Sequence, residues 1–388
     1  MRYLLLIILL STIATSCAHE RKPQVRCTGE QMARMKPDSS VLTFPDTSRI
    51  VSIEADSLIS NSGFDFMGIV EDISFIPLQT RPDNLIGRPD RLILTDDHIY
   101  ISDSKYVYIF DIKGRYVRKI PIRDGASHDF SFDRLWNELL ICSGGIVSHY
   151  TADGRHTWSD LLPLQFSSIG CAGSTLIFYN DSSDANPHLP NVGGSQCIVM
   201  NRKGALLRHL NQRPYSPTAP SQTRHLTASA ECLIMTHSLC DTIFSVIDDH
   251  ISARYVIKYP SHKLGQGLPP LGCGAYFFGG DAIGCMGGIF FKLITDRAMT
   301  ARFFYDARTG KAVGGIQPVA DYCQMPPIFD PIASINDKYI ALFHPYQTES
   351  GRTFRFIGDM VKEQEKDKLE GVRHGDNPVV TLYRVKIN

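Results

Sequence analysis

The sequence predicts an all-β fold, a six-bladed β-propeller, on three observations. The first is a strand–turn–strand–turn–strand unit over residues 98–120, HIYISDSKYVYIFDIKGRYVRKI. The second is the return of tight Asp/Asn/Gly turns at Gly114, Gly154, Gly204, Asp249 and Gly310, spaced by 40, 50, 45 and 61 residues. The third is the scarcity of helical periodicity, with a single helix-like stretch at 359–372. Short strands repeating every 40–50 residues are the signature of a propeller. Six units over residues 72–388 leave roughly 53 residues each, enough for four strands and their connections. A β-sandwich, or a pair of them, is the competing all-β architecture.

The first unit reads as strands Ile99–Ser102, Tyr106–Asp111 and Arg115–Ile120. Asp103 is expected to hydrogen-bond its own turn, and Gly114 to supply the positive φ that a tight β-turn demands. The second unit has Leu139–Cys142 and Ile146–Tyr150 around Gly144-Gly145, then a strand carrying Trp158 after the Asp153-Gly154 turn. The third has Thr175–Tyr179, Gln196–Met200 and Ala205–Leu210, and the fourth Glu231–Thr236, Thr242–Ile247 and Ile251–Tyr259. Gly288–Thr295 and Thr300–Asp306 form the fifth. Lys338–His344, a long polar insertion containing the charged helix, and Val379–Ile387 form the sixth. Inner propeller strands are packed on both faces, so continuous apolar runs such as VYIF and GGIFFKLI are expected to be the inner ones. Of Arg49–Ala55 and Ile73–Leu78, one is expected to complete the last blade and close the ring.

The start of the chain is read as a targeting segment. Arg2 gives a positive n-region, Tyr3–Leu10 with Ile13 an apolar stretch too short for a span, and Ala14-Thr15-Ser16-Cys17 a relaxed lipobox. Residues 1–17 are thus expected to be a lipoprotein signal peptide with Cys17 as the lipid attachment site, and 18–48 a polar tether. Residues 49–388 then form the propeller. Cleavage after Ala18 is the alternative, and would release a free protein. Ala18-His19-Glu20-Arg21-Lys22 carries no acidic run, which points to a periplasm-facing rather than a surface position.

Hydrophobic residues make up 43% of 388 positions, enough to fill a large core. Forty basic and forty acidic residues cancel, leaving no field for nucleic acid or for an anionic membrane. Membrane contact is therefore expected only through the N-terminal lipid. Of ten cysteines, nine remain beyond Cys17, an odd number in a chain too large to need staples. Cys142 and Cys197 sit in strand-like runs, where a small apolar residue packs well. Cys232 and Cys240 flank a hairpin and Cys273 and Cys285 bracket another, so either pair could form a disulfide. No Cys/His grouping has zinc-ligand spacing.

Catalytic signatures are missing: no H-E-x-x-H, no G-x-S-x-G, no phosphate loop and no full dinucleotide fingerprint. Asn180–Asn186 places oxygen ligands at alternate positions as a calcium loop does, but Ala185 stands where the sharp turn needs Gly and Asn191 where the bidentate Glu belongs. An exposed connecting loop is the better reading. Arg224, His225, His237 and Asp241 cluster near the ends of the fourth unit's strands and are the candidate ligand-binding residues, should those ends face the central channel. Their alternative is a set of rim and hairpin residues. His128-Asp129 invites acid–base pairing, but a lone sequential pair rarely makes a site.

The segment Ile99–Ile120 resembles an NHL-type propeller blade: strand, Asp, small polar residues, strand, Asp and Gly. Residues 151–154 and 201–204 keep the turn Gly but lack the residue equivalent to Asp103. As a whole the chain resembles the six-bladed β-propeller lipoproteins of Gram-negative gut bacteria. The likeness rests on the Cys17 signal, Val70–Thr80 (VEDISFIPLQT), Cys240–Phe244 (CDTIF) and Asp376–Val380 (DNPVV), and spans most of 50–388. It implies a cell-envelope protein with no catalytic residues to carry over. The function expected is non-catalytic binding of a glycan, peptide or envelope protein through the channel mouth and loops, with no cofactor. The alternative is a metal-dependent hydrolase or lactonase holding one divalent ion in the channel between Asp, Asn, Glu or His from several blades.

Overall fold

Six antiparallel sheets surround a central axis in the computed structural model. It describes residues 45–59, 66, 68–122, 128–162, 164–180, 186–187, 189, 192–210, 224–229, 231–237, 240–263, 274–295, 300–317, 330–345 and 361–388. The signal peptide, Cys17 and most of the tether lie outside these residues, as do Cys273 and residues 181–185 of the calcium-like loop.

The described chain starts with β1 (Val51–Glu54), one helical turn α1 (Asp56–Ile59) and β2 (Val70–Pro77). Blade one follows as β3 (Arg91–Leu94), β4 (His98–Ser102), β5 (Tyr106–Asp111) and β6 (Tyr116–Pro121). Blade two is β7 (His128–Asp133), β8 (Glu138–Ser143), β9 (Ile146–Thr151) and β10 (His156–Leu161). Blade three is β11 (Ser168–Ala172), β12 (Thr175–Tyr179), β13 (Cys197–Asn201) and β14 (Leu206–Leu210). Blade four is β15 (Leu226–Ala228), β16 (Leu233–Thr236), β17 (Thr242–Ile247) and β18 (His250–Lys258). Blade five is β19 (Tyr276–Cys285), β20 (Gly288–Thr295), β21 (Thr300–Asp306) and β22 (Lys311–Gln317). Blade six has β23 (Ala333–Ile335), β24 (Lys338–Phe343) and, after the short helix α2 (Glu363–Asp367), β25 (Val379–Val385).

Ring closure is made by β2, which pairs antiparallel with β25 from Val70↔Val385 to Pro77↔Val379 and becomes the outer strand of blade six. The other N-terminal strand has a different place. β1 lies parallel to β18, with Val51 opposite Tyr255, and adds a fifth strand to blade four. Asp46, inside the segment read as a tether, bridges Ser252 in the same sheet. Between the two strands α1 packs on β22. Phe66 is buried against Phe304 and Tyr383, with ring centroids 5.6 and 6.0 Å away. The described residues between 46 and 77 therefore form a strap around the outside of blades four, five and six.

Six apolar clusters fill the gaps between neighbouring blades, one for each gap. Alternation along a strand sends successive side chains into different gaps. On β8, Leu139 joins the cluster shared with blade one and Leu140 the cluster shared with blade three. Both faces are apolar, so such strands read as unbroken hydrophobic runs.

The innermost strands are not the runs expected. VYIF lies in β5 and GGIFFKLI in β20, the third and second strands of their blades. The strands at the axis are RLIL, HDFSFD, SIGCA, LTA, YFFGGDAIGC and ASI, short or rich in small and polar residues. Six strands converging on one axis leave little room for bulky side chains, which explains the composition. The charged helix is also shorter than expected: among the described residues of 359–372, Glu363–Asp367 are helical. Of the residues around it, Val361 and Leu369 are buried, too few for the apolar stripe that would stabilise a longer helix.

The turns behave as the residue types require. Gly114, Gly154, Gly204 and Gly310 take φ between 69° and 83°, while in blade four Asp248 takes φ 51°. Asp103 closes its turn by accepting from the Lys105 and Tyr106 amides at 2.8 Å, and its other oxygen accepts from the Gly87 amide and the Tyr108 hydroxyl. Cys232 and Cys240 are free thiols and do not form a disulfide. They stand at opposite ends of β16, about 13 Å of strand apart, where a disulfide needs Cα atoms about 6 Å apart. Cys142 and Cys197 are buried free thiols in the apolar clusters, and Cys285 is free as well.

Candidate functional site: a bolted channel and a groove at the seam

Among the described residues one ion pair crosses between the inner strands near the axis. Arg91, at the start of β3, reaches across to Asp129 of β7, and its Nη2 donates to the Leu226 carbonyl of β15 at 3.0 Å. Asp129 Oδ2 accepts from the Ile169 amide of β11 at 2.9 Å, and Oδ1 also accepts from the Phe130 amide. The guanidinium lies 5.7 Å from the Phe130 ring centroid. Two side chains thus tie the inner strands of four blades, and both are largely buried (12% and 9% exposed). Charge-assisted bonds of this kind are strong where water is excluded. The thiol of Cys142 donates to the Asp129 carbonyl, and burial together with the Asp129 charge pushes its pKa well above the usual thiol range.

Next to this bolt the axial cavity measures about 30 Å3. Leu92, Phe132, Ile332 and Ala333 line it with Arg91, Arg134 and Arg224.

The four residues singled out from the sequence divide between three places. Arg224 alone lines the axial cavity. His225 and His237 come together, but inside the protein between blades three and four. His225 stacks on Tyr179 at 4.3 Å and its Nδ1 meets the Thr236 carbonyl at 3.0 Å, while His237 Nδ1 meets the Tyr179 hydroxyl at 2.9 Å. Asp241 faces outward in blade four, where it accepts from the Tyr259 hydroxyl and pairs with Lys263. Arg91 and Asp129 were not among those four. Asp129 was noted only beside His128, and nothing in a single strand shows that an Arg 38 residues earlier will reach it.

Among the described residues no group of three His, Cys, Asp or Glu side chains could share a metal ion. Asn180 and Asn186, at the ends of the calcium-like loop, are both hydrogen-bonded to Gln165, at 2.6 Å and at 2.6 and 3.1 Å.

A roomier recess lies at the circumference where blade six meets blade one. It is an open groove of about 380 Å3 with Pro77, Leu78 and Val372 as its apolar lining and Lys113, Arg115 and Lys368 among its polar residues. Asn377 holds this seam: its amide nitrogen donates to the Gln79 and Asn84 carbonyls at 3.0 and 3.1 Å, and its oxygen accepts from the Ile86 amide. Gly114 is needed here because a Cβ would stand 2.1 Å from the Pro77 carbonyl oxygen.

A model of the family DUF4934, a domain of unknown function, matches residues 50–384. The chain belongs to that family. Among solved structures it is similar to a Bacteroides fragilis protein described as exported, at 15% identity and TM-score 0.64, over 87% of this chain and 100% of that one. It is also similar to BamB from Moraxella catarrhalis, at 12% identity and TM-score 0.36, over 63% of this chain and 66% of that one. A third is PorZ of Porphyromonas gingivalis, at 10% identity and TM-score 0.33, over 66% of this chain and 29% of that one. No curated protein matches the sequence. The first of these likenesses supports the propeller fold and, being low in identity, the fold alone. No helix among the described residues is long and apolar enough to cross a membrane.

Proposed function

We propose that this DUF4934 propeller is a non-catalytic binding module, exported and held in the cell envelope by a lipid on Cys17, that engages a glycan, peptide or envelope protein on its outer surface. The observation that carries the reading is the Arg91–Asp129 pair, which ties the inner strands of four blades beside an axial cavity of about 30 Å3. A lactonase-like reaction needs an ion and a substrate together at the axis; a binding module needs only surface. The groove at the blade six–one seam is the larger recess, and its size is within the ordinary range for small-molecule sites.

Metal content of the purified protein, before and after mild chelation, tests the reading. The expected result is no stoichiometric divalent ion and an unchanged melting temperature. About one tightly held ion per chain, with a lower melting temperature after its removal, would overturn it in favour of the hydrolase. Cys17→Ala is expected to move the protein from the membrane fraction to the soluble one; unchanged fractionation removes the lipid anchor from the proposal.

A further inference from the structure

The turn between β7 and β8, Asp133-Arg134-Leu135-Trp136-Asn137, holds the two most exposed large apolar side chains of the described residues. Leu135 is 65% and Trp136 62% exposed. Single exposed apolar residues are ordinary, but these are adjacent and their backbone is held from below. Asp133 is buried, and its Oδ1 accepts from the Leu135 and Trp136 amides at 2.8 and 3.0 Å. Its Oδ2 pairs with Arg202, which comes from the β13–β14 turn of blade three, and Asn137 completes the turn at φ 51°. The Arg202 guanidinium lies 6.0 Å from the Trp136 ring centroid and so backs the indole. An aromatic side chain on a backbone already ordered loses little entropy when a partner covers it, which is the character of an interface anchor.

The charge around the turn indicates what would cover it. Asp133 and Glu138 are both engaged by Arg202, and Glu138 also meets His149. The exposed charges of the two turns are then Arg134, which also lines the axial cavity, and Lys203 next to Arg202. Leu135 offers no hydrogen bond and Arg202 lies against the indole, an arrangement better matched to an apolar side chain than to a sugar ring. We propose that the Arg134–Trp136 turn, with Lys203, is a docking surface for a protein partner, taking an acidic peptide segment that carries a large apolar side chain. This rests on the reading of the chain as a surface binder.

The test uses the full chain on two arrays. One carries Asp/Glu-rich decamers with a central Leu or Phe, with Ala-centred and Lys-rich counterparts; the other carries glycans. The expected result is binding to acidic apolar-centred peptides only, weakened about tenfold or more by Trp136→Ala and by Arg134→Glu, and weakened by added salt. Trp136 and Trp158 are the two tryptophans, so in Trp158→Phe the bound peptide is expected to shift the remaining indole emission to the blue. Peptide binding unchanged in both turn variants would overturn the docking surface. Glycan binding without peptide binding would overturn the docking surface and leave the binder reading standing. No binding on either array would overturn both. Should Trp136→Ala fail to fold, Arg134→Glu, a change at an exposed side chain, decides alone.

Discussion

Blades two and three add a network of charges to the apolar cluster between them, whereas blades four to six add to theirs an apolar strap drawn from the start of the chain. At the first seam Arg202 of blade three enters blade two to meet Asp133 and Glu138, at 2.6 Å from the latter. Glu138 continues to His149, whose other ring nitrogen lies 3.5 Å from Asp160 and whose face stacks on Trp158 at 3.6 Å. At the second, Ile53, Ala55 and Ile59 join the cluster between blades four and five, and Phe66 joins that between five and six. The same blade geometry is thus closed by two chemistries. Buried ion pairs are unforgiving of the loss of one partner, while apolar straps fail by loss of area.

The strap should show the largest effect. A chain starting at residue 68 keeps β2 but loses the burial of Ile53, Ile59 and Phe66, each worth about 1.5–3 kcal/mol. Its melting temperature should fall by about 10 °C or more. A fall of only a degree or two would show that the strap decorates the ring. Second in size is Asp133→Ala, which removes one of the two carboxylates that meet the buried Arg202, leaving Glu138, together with the acceptor of the Leu135 and Trp136 amides, and should destabilise by about 3–5 kcal/mol in denaturant titration. Double replacement with Arg202→Met should recover part of that loss, because the buried guanidinium goes too while Glu138 keeps His149 as its partner. Were the double variant no better than the single one, the seam would owe its strength to packing. Third, Gly114→Ala at the blade six–one seam combines a positive φ with the Pro77 carbonyl clash and should cost about 2–4 kcal/mol. Gly310→Ala, at φ 69° with open space around it, should cost less, by the strain alone.

The smallest effect concerns pH. Burial of His149 works against its charged form, but Asp160 and Glu138 outweigh that and raise its pKa above the usual histidine value. A raised folded-state pKa gives stability that is complete below the unfolded value of about 6.5 and is lost as pH rises through the folded value. Thermal melts from about pH 6 upward should therefore show a decline that His149→Gln flattens. A decline of the same size in the variant would place its origin elsewhere.

Much of the fold was legible because the second and third strands of each blade are buried on both faces. Runs such as LLIC and TLIFY, punctuated by Asp/Asn/Gly turns, mark them plainly. The inner strands were not, since LTA and ASI are three residues long and carry no period. The site was less legible still. His225, His237 and Asp241 share a stretch of sequence, but neighbouring strand ends point to different surroundings: an interblade core for the histidines and the rim for Asp241. The Arg91–Asp129 pair joins residues from two blades and carries no local signature.

By itself the sequence determined the second and third strands of each blade, the turns and the count of units, since these follow from continuous apolar runs and from which residues tolerate positive φ. Only the tertiary structure decided which strand faces the axis, that both N-terminal strands are used, and that one Arg–Asp pair bolts the channel. Those outcomes depend on contacts between residues far apart in the chain, where packing space and the pairing of buried charge choose among arrangements that local pattern leaves equal.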